Sequence, residues 1–112
     1  MSRGLLHATF CCCALAPLHA HAVWDYSLTE KLAIYDAVEK HCRPLIPAAF
    51  EGKSADKVLH LDAEDRSRIK TVRQSPEYRE VLSGASDELS QQLAAAGKDG
   101  AANICKDLMD GN

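Results

Sequence analysis

Apolar residues recur every three or four positions from Leu28 almost to the end of the chain, and no stretch alternates with the period of two that marks a half-buried strand. Leu28, Leu32, Tyr35, Val38 and Cys42 form one stripe on a 3.6-residue period, which predicts a first helix from about Leu28 that Pro44 ends. Ser27-Leu28-Thr29-Glu30 in front of it fits the capping box, where hydroxyl and carboxylate each satisfy an N–H that the first turn leaves unpaired. On this stripe Cys42 points into the core.

Pro44 and Pro47 bracket Leu45-Ile46, and Gly52-Lys53-Ser54 follows, so residues 44–54 are expected to be irregular, with one short turn around Ala48 to Glu51. Ser54 or Asp56 starts a further short turn carrying Val58, Leu59 and Leu61. Asp62-Ala63-Glu64-Asp65 then places a cap and acids before Ile69 and Val72, which predicts a second helix from about Ala63 to Gln74. Ser75-Pro76-Glu77 is a clear start signal for a third, since proline at the first helical position sacrifices no hydrogen bond. Tyr78, Leu82, Ala85, Leu89, Leu93 and Ala96 continue its stripe until Gly97, which suits a left-handed stop. After Lys98-Asp99-Gly100 a last helix carries Ala101, Ile104, Cys105, Leu108 and Met109. The expected fold is all-α: a small four-helix domain.

The first 22 residues change the cysteine arithmetic. Arg3, the apolar run from Leu5 to Leu18 and then Ala20-His21-Ala22 read as a cleaved secretory signal peptide, leaving a single helical domain over 23–112. The run of about 14 residues is shorter than the roughly 20 that span a bilayer, so no stable membrane anchor is expected after cleavage. Cys11 follows Ala8-Thr9-Phe10, which is not a lipid-attachment pattern. The mature chain is therefore expected to be periplasmic or secreted. Cys11, Cys12 and Cys13 leave with the signal, and Cys42 and Cys105 remain in a compartment where thiols oxidise, so one disulfide is expected. Closing a loop of this length stabilises a chain by about 4 kcal/mol, comparable with the net stability of so small a domain.

Removing Arg3 leaves 12 Lys and Arg against 16 Asp and Glu, a formal charge of −4. Basic residues alternate with acidic ones, and the densest basic stretch, Arg66, Arg68, Lys70 and Arg73, reads as a solvated helix face, which argues against nucleic acid as a partner. The residues present no Cys-x-x-Cys pair, no Gly-x-Ser-x-Gly and no glycine-rich phosphate loop, so neither an enzyme nor a cofactor is expected. His60 with Asp62 and Asp65 is too loosely spaced to read as a metal site, and His41 at a helix end is expected to face the dipole and solvent.

What remains points to recognition. Trp24 and Tyr26 on a short arm before the first cap, with Ile46 and Phe50 in the irregular segment, are the candidate anchors for a protein partner. In outline, a small exported helical domain with one long-range disulfide is similar to periplasmic acid-stress chaperones and to immunity proteins that neutralise secreted toxins, a likeness of architecture that involves no specific residue. The expected function is a non-catalytic protein that binds a specific protein in the periplasm or envelope, as an inhibitor, immunity factor or accessory subunit. The alternatives are an envelope chaperone opened by low pH and a carrier for a small apolar ligand.

Overall fold

The computed structural model describes residues 26–110. The signal segment over residues 1–22 and Trp24 lie outside them. Among the described residues the chain is helical and has no strand: α1 (Leu28–Cys42), a 3-10 turn (Pro47–Phe50), the single turn α2 (Ala55–Val58), α3 (Ala63–Arg73) and the long α4 (Pro76–Asp110). None of these helices is long and apolar enough to cross a membrane.

Local rules account for the helix starts. The Ser27 hydroxyl accepts from Glu30 N–H and the Glu30 carboxylate accepts from Ser27 N–H, completing the capping box of α1. Asp62 accepts from Asp65 N–H at 2.8 Å to cap α3, and the Ser75 hydroxyl accepts from Tyr78 N–H at 3.2 Å ahead of α4. The end of α2 is less expected. His60 takes the left-handed conformation (φ 55°), His60 N–H donates to the Lys57 carbonyl, and Leu61 N–H reaches back to the Asp56 carbonyl. This is the Schellman arrangement, usually built on glycine, and it assigns His60 a backbone role while its side chain stays exposed.

α1 is the central element, packed against α2, α3 and α4. Of its predicted stripe, Leu32, Tyr35 and Cys42 are buried, with Leu28 and Val38 partly so; Ala33 and Ala37 are fully buried as well. The buried face is wider than one stripe because helices cover α1 on more than one side, and alanine leaves room for their close approach. One core cluster gathers Leu32, Ala33, Tyr35, Ala55, Leu61, Val72 and Tyr78. A second surrounds the predicted disulfide: Cys42 and Cys105, bonded with their Cα atoms 5.5 Å apart, pack with Phe50, Leu89 and Met109. Val58 on α2 touches both clusters.

The third and fourth predicted helices join more abruptly than Lys98-Asp99-Gly100 suggests. The break is one residue, Gly97 (φ 79°, ψ 175°), and the helix resumes directly after it. Gly100 is inside the resumed helix, where an added Cβ would come within 3.0 Å of the Ala96 Cβ, so its smallness serves a close approach across the bend. The buried stripe of this last arm is Ala101, Cys105 and Met109, narrower than expected, and Leu108 is 39% exposed.

A Cβ at Gly97 would meet nothing, but its backbone angles belong to a region that only glycine occupies readily. Gly97→Ala is therefore expected to lower the unfolding free energy by about 1–3 kcal/mol in a urea titration of the oxidised protein. Unchanged stability would show that the bend does not depend on this residue.

Candidate functional site

Three places bring polar or exposed apolar groups together. The first is a partly buried ionic cluster that ties three helices. Asp36 on α1 accepts two bonds from the Arg73 guanidinium of α3, at 2.9 and 2.7 Å, and a third from the Tyr78 hydroxyl of α4. Burial, then the hydrogen bond to Asp36, pushes the Tyr78 phenol up to about 12, and the same carboxylate raises Arg73. Each partner is already engaged, so the cluster acts as a clamp.

The second is an apolar groove of about 110 Å³ lined by Tyr26, Lys31, Ile34, Tyr35, Val38, Leu59, Leu108 and Met109. It is formed where α1 meets the last arm of α4. Tyr35 supplies a wall, yet its hydroxyl is buried and has no hydrogen-bond partner among the described residues. Desolvation by burial, then the nearby Glu39 carboxylate, raises its pKa.

The third is a more polar groove of about 360 Å³ between the end of α1 and α4, lined by Lys40, His41, Arg79, Leu82, Ser83, Ser86, Asp87 and Ser90. At its floor, His41 Nε2 lies 2.8 Å from the Ser86 hydroxyl, a residue only 9% exposed. His41 thus bridges to α4, where the sequence suggested that it meets only the dipole and solvent. A histidine beside a serine invites a nucleophile reading. Ser86, however, sits inside a continuous helical stretch, where the neighbouring backbone N–H groups are committed to the helix and do not form an oxyanion hole.

Of the predicted anchors, Tyr26 lines the apolar groove, and Trp24 lies outside the described residues. The structure does not bring Ile46 and Phe50 to the same place. Phe50 is 2% exposed, packed in the disulfide cluster with the Arg43 guanidinium 5.3 Å from its ring centroid, and Ile46 packs against that cluster. The 3-10 turn rolls the Phe50 ring inward, because an aromatic beside the disulfide buries more apolar surface than one in solvent. Leu45, at 39% exposure, is the apolar side chain this segment presents. Among the described residues no three His, Cys, Asp or Glu side chains converge to hold a metal, and His60, Asp62 and Asp65 form no such set.

Two of these features escaped the sequence reading. Ser86 did leave a signal: four residues after Leu82 and three before Leu89, it is a polar residue on an apolar stripe. Asp36 left none, because its partners are 37 and 42 residues away. Comparison of the chain with protein-family models, with curated proteins and with solved structures returns no match.

Two measurements test this geometry. Tyr78 is neutral in the clamp, and its folded pKa of about 12 exceeds the ordinary 10.0, so its contribution is complete below pH 10 and is lost as pH rises toward 12. The stability difference between the native protein and Tyr78→Phe, from denaturant titrations, should be constant up to pH 10 and close between pH 10 and 12. A difference that holds through pH 12 would contradict the bond to Asp36. Tyr35→Phe removes a buried hydroxyl with no partner, so stability should stay within about 1 kcal/mol or rise. A larger loss would reveal a partner for that oxygen.

Proposed function

We propose that this is an exported, non-catalytic helical protein that binds a specific protein partner in the periplasm or envelope, as an inhibitor, immunity factor or accessory subunit. The apolar groove at the meeting of α1 and the last arm of α4 carries the reading. Its volume of about 110 Å³ fits one apolar side chain of a partner, whereas pockets for free small molecules run to roughly 300–1,000 Å³. That size favours a protein ligand over a carried apolar molecule. Tyr26 at the groove supplies an aromatic anchor, a residue type that carries binding energy at interface centres, and Trp24 comes two residues earlier in the sequence. Phe50, buried against the disulfide, is not such an anchor.

One observation favours a second reading, an envelope chaperone opened by acid. A single carboxylate, Asp36, bonds both Arg73 of α3 and Tyr78 of α4, so polar ties from two helices to α1 depend on one negative charge, while the disulfide keeps the chain joined.

Capture from the native envelope fraction by the oxidised protein, read by mass spectrometry, separates these readings. Ile34 lines the groove without belonging to either core cluster, so Ile34→Asp should leave the helical circular dichroism unchanged. The expected result is one stoichiometric partner held by the native chain and lost with Ile34→Asp. A diffuse set of clients would replace this reading with the chaperone, and a partner retained by Ile34→Asp would remove the groove from it.

A further inference from the structure

We propose that the polar groove between the end of α1 and α4 is a binding site for a tetrahedral oxyanion, a phosphate group or its monoester. The docking groove uses Ile34, Tyr35 and Val38 of α1, whereas this one uses Lys40 and His41, so the two sites are separate. On α4, Arg79, Ser83, Ser86 and Ser90 follow at spacings of four, three and four and so share one face. This face sets one guanidinium and three hydroxyls opposite Lys40 and His41 across about 360 Å³. Among the described residues neither Lys40 nor Arg79 enters an ion pair; the Arg79 guanidinium donates to the Gln74 carbonyl at 3.3 Å. Asp87 is the one carboxylate in the lining.

The His41–Ser86 contact sharpens the case. If Nε2–H donates to the serine oxygen, the Ser86 O–H is left to donate elsewhere; if Ser86 donates to Nε2, the imidazole carries its proton on Nδ1. Either arrangement leaves the pair a donor beyond the bond it makes, and a fixed hydroxyl–imidazole pair holds that donor with little entropy left to lose. Arg79 adds the flat, multiply donating guanidinium that suits phosphate oxygens, and Lys40 adds a point charge. Oxyanions match this lining of two cationic groups and three hydroxyl donors, while a cation would find one carboxylate among two positive groups.

The test titrates inorganic phosphate into the oxidised protein at constant ionic strength, following the imidazole and amide resonances of the groove by NMR. Saturable shifts of His41, Ser83 and Ser86 in the millimolar range are expected, with sodium chloride at equal ionic strength giving none. Arg79→Ala and Ser86→Ala should each weaken the dissociation constant about tenfold, the loss of one hydrogen bond to a charged group. Asp87→Asn should tighten it, a change that general damage to the fold does not produce. Vesicles of phosphatidylcholine with or without phosphatidic acid identify the source. Binding only to vesicles containing phosphatidic acid, lost in Arg79→Ala, assigns the site to a lipid phosphate, and binding of inorganic phosphate alone assigns it to a free one. Absence of shifts with both probes, shifts matched by chloride, or affinities unchanged in Arg79→Ala and Asp87→Asn would overturn the site.

Discussion

The Cys42–Cys105 bond joins the last residue of α1 to the arm of α4 beyond Gly97, and both half-cystines are fully buried. The short arm after Gly97 packs back on α1, with the glycine at its start and the bond within it. Gly97 supplies the non-helical angles that turn the chain, and the disulfide holds the turned arm where Met109 can pack with Phe50 and Leu89. A helix continuing straight through Gly97 would carry Cys105 away from Cys42. The covalent link thus organises one core cluster, and the apolar groove exists because the same arm brings Leu108 and Met109 to α1.

The other half of the molecule is held by different physics. Around the N-terminal part of α1 the core is conventional apolar packing, crossed by the Asp36 clamp to Arg73 and Tyr78. A carboxylate that accepts from a guanidinium and a phenol has its lone pairs satisfied while partly withdrawn from water, which is the condition under which an ionic group fixes the relative position of helices. Tyr35, buried nearby, lacks such a partner among the described residues. One face of α1 is therefore pinned by a polar network and its end by a sulfur bond, and the two grooves open along the same helix, one apolar and one rich in donors.

This division explains how each expectation fared. The capping box at Ser27, the caps at Asp62 and Ser75 and the stop at Gly97 were readable because each involves groups within four residues of one another. The site was less readable. Tyr26 reached a groove, but Phe50 went into the core, since an aromatic in a loop carries no local mark of which side of the chain will be covered. His60, weighed as a metal ligand, instead ends α2 in a left-handed turn, a position where the sequence gives no glycine as a cue.

By itself, then, the sequence determined the helical class, the starts of the main helices and the pairing of Cys42 with Cys105. Periodicity and capping are short-range, and beyond the cluster Cys11–Cys13 the chain carries only two cysteines, Cys42 and Cys105. Tertiary structure alone decided that Asp36 meets Arg73 and Tyr78, that His41 meets Ser86, and that α1 and the last arm enclose a groove. The three polar contacts join residues 37 to 45 positions apart and the groove joins elements farther apart still, separations over which no local pattern specifies the partner and only the packing of whole helices does.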